Sequence, residues 1–260
     1  MKCCLNSRLP MQIMPKADQI KFAERDINSI PDYIEFNKTI ILECWTNDVD
    51  WNKISNFNKL CKEDFMLCVS SVQAAKTANE LNIKWYWGFP VSSLYEAKAL
   101  ARLGSIYLKL DAPLFFQWDL VKKVLPDMKF RHTPNVAYND GLPRENGVSG
   151  TWIRPEDLVL YENYIDVIEF EKCDREQEQT LFRIYMEDKK WDVIIKLLIA
   201  NLDYEGTGRM IPKEFGEKRL NCRQACEQGG ACTICWRTLK LADPDRVEAY
   251  LQPHTIIKHS

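Results

Sequence analysis

Four cysteines lie close together near the end of the chain, in the stretch NCRQACEQGGACTICW. Cys222, Cys226, Cys232 and Cys235 form two close pairs, and Gly229–Gly230 lets the chain fold back so that the pairs face each other. Four thiolates can bind zinc tetrahedrally or hold an iron–sulfur cluster. The segment therefore predicts a metal site, occupied by a 4Fe–4S cluster or by zinc. Free thiols that simply pack, or disulfides, are the alternatives.

Charged side chains also interrupt two apolar stretches, SIYLKLDAP and IDVIEFEK. Alternate residues of a strand face opposite sides, so Lys109 and Asp111 share one face of the first stretch, and Glu169 and Glu171 share one face of the second. Carboxylates beside a lysine can carry out acid/base chemistry or bind a polar ligand. We predict these four residues as the catalytic group. The alternative is a structural ion-pair network, such as Lys109 with Glu169; a Schiff-base role for Lys109 has only its place on a strand to support it.

Four further residues are predicted to bind substrate. Glu43 and Trp45 share a face in TIILECW, and Arg154 ends the run GTWIRP. Asn139 lies in the segment 133–150, whose glycines and prolines indicate a long loop that covers the site. Aromatic side chains near strand ends can stack on a flat ligand, although they more often belong to the core.

These residues need a framework that brings strand ends together. Eight apolar, β-rich runs alternate with helical stretches, which predicts an α/β fold and a TIM-like (β/α)8 barrel, with an open doubly wound sheet as the alternative. The barrel is predicted over residues 1–191, and residues 192–260 are predicted to form a small C-terminal segment with a helix, the cysteine cluster and a tail. The predicted strands are 2–7, 39–45, 65–71, 83–89, 105–111, 129–138, 150–155 and 165–171.

Three helices have recognisable signals. VQAAKTANELN places its alanines on one face, and SSLYEAKALARLG begins with a serine cap and ends at Gly104. PEDLVLYENY opens with proline in the first turn and two acids near the N-terminus.

Composition limits the class of protein. The chain is 46% hydrophobic and 28% charged, which is typical of a folded protein, and its net charge of −2 provides no overall attraction for nucleic acid. No apolar run is long enough to span a membrane and no signal core is evident at the N-terminus, so we expect a cytoplasmic protein without a membrane partner. In that compartment ten cysteines are not a disulfide framework. Only three histidines occur, and no Ser/His/Asp, HExxH or nucleotide-binding glycine motif is found, which disfavours a histidine-based hydrolase.

The stretch IRPEDLVLYENYIDVIEFEKCDREQEQTLFRIYME (153–187) resembles the collagenase-like peptidase family, which includes proteins of oxygen-independent RNA and ubiquinone hydroxylation. That family shows a helix that starts with proline, an acidic or basic residue, aspartate and leucine, then a G-[IV]-D-x-x-K-I-E-G-R strand and a helix that ends in Y-R. The matching residues here are Pro155, Asp157, Leu158, Asp166, Glu171 and Tyr185. Glu169 replaces the family lysine, and Lys172-Cys173 replaces its glycine-arginine pair.

The resemblance implies a TIM-like barrel and, in several members, a 4Fe–4S cluster on four cysteines. The loop 133–150 lacks cysteines that the family would place there, so the cluster at 222–235 either replaces them or is an unrelated zinc knuckle. The function expected first is therefore oxygen-independent modification, of hydroxylation type, of RNA or a small aromatic molecule, with a partner protein as an open possibility. A peptidase on the same fold, and a non-enzymatic binding module with structural zinc, are the alternatives.

Overall fold

In the described part of the chain, nine parallel strands form one continuous sheet, with helices and 3-10 segments on its outer side. The computed structural model describes residues 1–46, 49–61, 64–115, 117–134, 153, 155–170 and 174–188. The predicted C-terminal segment, 192–260, lies outside the described residues. The strands are β1 (Lys2–Asn6), β2 (Gln19–Phe22), β3 (Thr39–Cys44), β4 (Phe65–Val69), β5 (Trp85–Trp87), β6 (Pro90–Val91), β7 (Tyr107–Leu110), β8 (Lys129–His132) and β9 (Val167–Glu169).

The sheet closes into a barrel of eight positions because β5 and β6 share one of them. The strand order is β5-β4-β3-β2-β1-β9-β8-β7-β6, so the two ends of the sheet are consecutive strands separated only by Gly88 and Phe89. β5 pairs with β4 and β6 pairs with β7, while the Ile106 amide donates to the Trp85 carbonyl at 3.0 Å. The predicted (β/α)8 barrel is confirmed.

The strands separate an inner from an outer core. Seven buried residues make the inner cluster, and their places in the strands alternate with those of the outer core, as the pleat requires. They are Cys4, Ile41, Met66, Cys68, Tyr86, Tyr107 and Val167. The outer core is larger and includes Leu108, Leu110 and Ile168, whose side chains meet the surrounding helices. The predicted assignment of Leu108 and Leu110 to the helix-facing side is confirmed.

Six α-helices accompany the described strands. They are α1 (Trp51–Cys61), α2 (Val72–Glu80), α3 (Leu94–Leu103), α4 (Ala112–Phe115), α5 (Trp118–Val124) and α6 (Arg175–Phe182). The predicted caps of α3 are present: the Ser93 hydroxyl accepts from the Glu96 amide, and Gly104 ends the helix at φ +110°. Three 3-10 segments, Met14–Lys16, Glu24–Phe36 and Pro155–Tyr161, and a π-helical segment, Arg183–Asp188, complete the described elements.

Two predicted elements are wrong. The run 150–155 does not provide a barrel strand: its described residues, Ile153 and Pro155, lie outside any strand, and β8 pairs directly with β9. The missing position is filled by β2, a four-residue strand within the first, overlong interval. PEDLVLY forms a 3-10 helix rather than an α-helix.

Within the described part of the chain, no helix is both long and apolar enough to cross a membrane.

Candidate active site

Five charged side chains form an ion network inside the barrel, which we call the luminal network: Lys21, Glu43, Lys109, Arg131 and Glu169. Glu169 lies at its centre. One carboxylate oxygen pairs with Lys109, and the other accepts from Arg131 Nη2 at 3.0 Å and contacts Lys21 Nζ at 3.5 Å. Lys21 Nζ also lies 3.3 Å from Glu43 Oε1. Each of five strands therefore contributes one charged side chain to the network.

Strand alternation explains why these charges point inward. Glu43 is two residues after the luminal Ile41, Lys109 two after Tyr107, and Glu169 two after Val167. A parallel barrel places all these positions at the carboxyl half of its strands, the half where barrel enzymes bind their substrates. The structure thus brings Lys109, Glu169 and Glu43 together at this end of the barrel.

The network fixes the charge state of Glu169. Burial alone would raise the pKa of this carboxyl group, but Lys109, Lys21 and Arg131 hold the pKa well below its usual range. A fully buried carboxylate is stable only with such compensation, because desolvation of an isolated charge is costly. Glu169 is thus a permanent anion, which suits it to position cations rather than to exchange a proton.

Lys21 and Arg131 are members of the network that the sequence analysis missed. The Arg131 guanidinium lies 4.4 Å from the centre of the Tyr86 ring and 5.4 Å from that of Tyr107, in addition to its contact with Glu169. Arg131 could have been found, because it lies in the predicted strand run 129–138, where alternation places it on the face opposite Phe130. Lys21 could not, because its strand was not predicted.

Glu43 connects the buried network to the surface. Its side chain is 18% exposed, against 7% or less for Lys21, Lys109, Arg131 and Glu169. A partly exposed carboxylate beside an ammonium group can accept a hydrogen bond from a ligand or exchange a proton with it. Glu43 is therefore the network's candidate for contact with substrate.

An aromatic cluster borders the same mouth of the barrel. Trp45, two residues beyond Glu43 on the luminal face, is 42% exposed, and Phe89 is 47% exposed. Their ring centres are 5.3 Å apart, and Trp87 lies 6.1 Å from Phe89. The cluster presents flat apolar surface to a ligand.

Gly88 makes room for this arrangement. A Cβ atom at position 88 would lie 2.8 Å from Cη2 of Trp45 and 2.9 Å from Sγ of Cys68. Cys68 is luminal, so the Trp45 ring extends across the mouth toward the axis of the barrel. Because only glycine leaves this space, the break between β5 and β6 also shapes the candidate site.

The luminal thiols are not activated. Burial raises the pKa of Cys4 to about 11 and that of Cys68 to about 12. A thiol is a good nucleophile only as thiolate, so these two cysteines fill space at neutral pH. Cys44, expected in the core, is buried as well.

The remaining predicted site residues divide into two groups. Asp111 is buried directly after β7, on the face of Lys109, and its amide donates to the Val91 carbonyl at 2.9 Å. The others lie outside the described residues: Asn139, Arg154, Glu171, Cys222, Cys226, Cys232 and Cys235. Within the described ranges no group of three or more histidine, cysteine or acidic side chains is arranged to hold a metal ion.

Comparison with known proteins finds similar structures but no matching family. No family model and no curated protein matches the chain. Among solved structures, a 4-hydroxy-2-oxoglutarate/2-dehydro-3-deoxyphosphogluconate aldolase is similar at 12% identity and a TM-score of 0.36, over 64% of this chain and 82% of its own. A designed cube-shaped protein cage is similar at 10% identity and a TM-score of 0.44, over 73% of each chain. At these scores neither neighbour bears on the activity of this protein.

Proposed function

We propose that the protein is a cytoplasmic barrel enzyme whose substrate binds at the mouth formed by Glu43, Trp45 and Phe89. The observation that carries the proposal is the position of Glu43, the most exposed member of the luminal network, beneath an exposed tryptophan on the same strand face. A substrate with a flat ring would stack on the aromatic cluster and present its polar edge to Glu43. The proposed substrate class is therefore an aromatic ring, free or within RNA.

The luminal network would give this site a fixed geometry. Lys21 holds Glu43 at 3.3 Å and is itself tied to the permanent anion Glu169. Catalytic groups held by such contacts lose little entropy when the substrate binds. In this proposal Glu43 exchanges a proton with the substrate, and Lys21 positions Glu43. Lys109, Arg131 and Glu169 hold Lys21 in place from deeper in the barrel. Asp111 and Glu171 stay proposed members of the same site.

The proposed reaction is hydroxylation without molecular oxygen, and it rests on the sequence resemblance and on the four clustered cysteines. In such a reaction an organic donor gives its hydroxyl group to a ring carbon and receives the hydrogen of that carbon, so that atoms and electrons balance. In this proposal Glu43 accepts the proton that leaves the ring carbon and passes it to the donor carbon that has lost its hydroxyl group. A 4Fe–4S cluster on Cys222, Cys226, Cys232 and Cys235 would supply electron transfer when bound.

The first experiment is metal analysis under anaerobic conditions. The wild-type protein, a Cys222→Ser/Cys226→Ser double variant and a Cys61→Ser control are purified without oxygen, and iron, sulfide and zinc are counted per chain. Cys61 is half-buried on α1, away from the cysteine cluster in sequence. If the protein absorbs at about 400 nm and only the double variant loses this absorbance, the result supports the cluster. One zinc per chain without colour contradicts it and favours a structural zinc module.

The second experiment tests the barrel mouth. RNA and small-molecule extracts of cells that express the wild type, Glu43→Gln or Glu35→Gln are compared by mass spectrometry for products that gain one oxygen atom. Glu35 lies in the 3-10 segment Glu24–Phe36, outside the luminal network, and is the matched control. Products that vanish only with Glu43→Gln support the proposal; equal products in all three contradict the role of Glu43. Hydrolysis of gelatin that a chelator abolishes would favour the peptidase instead.

A further inference from the structure

A cavity lies at the end of the barrel opposite the mouth at Glu43. It measures about 640 Å³ and is bordered by residues at the amino ends of the strands, together with the loop after α5. This volume falls within the range of small-molecule sites. The mouth at Glu43 is at the carboxyl half, so the cavity opens at the other end of the barrel, and Arg131 lies between the two. The inference does not depend on the proposed function.

Three lysines border the cavity, each from a different strand region. Lys2 begins β1, Lys84 directly precedes β5, and Lys129 begins β8. Each is two residues before a side chain that lies inside the barrel, namely Cys4, Tyr86 and Arg131 respectively. Strand alternation therefore turns all three toward the lumen. Two acids, Asp64 and Asp127, also border the cavity.

Uncommitted hydrogen-bond donors lie deeper in this cavity. Gln19 is only 2% exposed, and its side-chain oxygen accepts from Arg131 Nη1 at 2.6 Å. Among the described residues its amide nitrogen has no hydrogen-bond partner, and neither has the hydroxyl of Tyr107, which is also buried and borders the cavity. Neither atom is among the fully buried polar atoms that lack a partner, so both reach the cavity and can donate to a ligand there.

We propose that this cavity binds a small dianionic metabolite, a phosphate monoester or a dicarboxylate. Oxygen atoms of such a ligand accept hydrogen bonds from the Gln19 amide and the Tyr107 hydroxyl. The lysines at the rim balance the negative charge of the ligand. Lysine ammonium groups bind phosphate and carboxylate as point charges, and hydrogen bonds from charged donors are the strong ones. Arg131 fixes the Gln19 amide, so the donor is already oriented before the ligand binds.

Isothermal titration calorimetry at constant ionic strength tests the proposal with inorganic phosphate, glycerol 3-phosphate and succinate as probes. The variants are Gln19→Glu, Lys129→Met and a control, Lys98→Met, on the exposed side of α3. Gln19→Glu keeps the contact with Arg131 but removes the donor and adds a negative charge. We expect at least one probe to bind, with affinity reduced about tenfold or more by Gln19→Glu and about threefold to tenfold by Lys129→Met, and unchanged by Lys98→Met.

The three probes distinguish the sources of the anion. Tighter binding of glycerol 3-phosphate assigns the cavity to phosphate esters, and tighter binding of succinate assigns it to dicarboxylates. Absence of binding by all three probes overturns the proposal. Equal weakening by Lys98→Met and Lys129→Met also overturns it, because the effect would then reflect net charge rather than this cavity.

Discussion

The carboxyl group of Glu178 links the stability of the barrel to pH. Glu178 lies on the buried face of α6, and its Oε1 accepts a hydrogen bond of 2.7 Å from the amide of Asn6, the last residue of β1. Burial raises the pKa of this carboxyl group from 4.5 to about 7, although the bond from Asn6 acts in the opposite direction. Glu178→Gln keeps the size and the acceptor oxygen but removes the titration.

The size of the effect follows from linkage. In the folded protein Glu178 stays protonated until the pH nears 7, whereas in the unfolded chain it ionises near 4.5. The stabilisation from the neutral form is therefore fully present below pH 4.5 and is lost as the pH rises through 7. Between pH 5 and pH 8 the wild type loses about 2.5 kcal/mol from this group alone, and the glutamine variant loses nothing there.

Urea unfolding of both proteins at pH 5, 6, 7 and 8 measures this loss. All other titrating groups are shared, so their contributions cancel in the difference between the two free energies of unfolding. We expect the variant to gain stability relative to the wild type as the pH rises, with a limiting slope of about 1.4 kcal/mol per pH unit below pH 7.

A difference that does not change with pH would refute the reasoning, because it would place an ordinary pKa on Glu178. The matched control is Glu176→Gln, an exposed acid in the first turn of the same helix. A pH dependence of equal size in the control would assign the effect to the helix as a whole.

Three further predictions concern stability and packing, each measured by urea unfolding. Glu169→Gln should lose about 3–5 kcal/mol, since it leaves buried cations without their shared carboxylate; a loss below 1 kcal/mol would contradict the account of the network. Gly88→Ala should cost about 1–3 kcal/mol and alter the near-ultraviolet circular dichroism, because its Cβ meets Trp45 and Cys68; an unchanged spectrum would show that the ring is not held there. Asp174→Ala should cost about 1 kcal/mol by removing the capping box of α6, whereas Asp174→Asn should cost less.

The sequence predicted the inner face of the barrel where strands carried clear alternation. The apolar residues beside Lys109 and Glu169 marked those charges as luminal, and the structure pairs them. That pairing is the ion pair that the structural alternative named, and whether the network also serves catalysis is what Glu43→Gln tests.

The errors have physical reasons. β2 is only four residues long, and its polar residues Gln19 and Lys21 alternate with Ile20 and Phe22. It therefore has no continuous apolar run, and its alternation is too short to stand out in the sequence. The Trp45 contact at Gly88 depends on the exact path of the chain between β5 and β6. No pattern in the sequence encodes that path.

The luminal network also constrains how the chain can fold. Its shared carboxylate, Glu169, lies in β9, whereas Lys21 lies 148 residues earlier and Lys109 and Arg131 come between. Until β9 inserts between β1 and β8, a partly assembled barrel must hold these cations without their central anion. Such contacts between distant parts of a chain slow folding. A half-barrel also lacks the contacts that stabilise its buried cations. Insertion of β9 thus completes the network, and the barrel should assemble as a single cooperative unit.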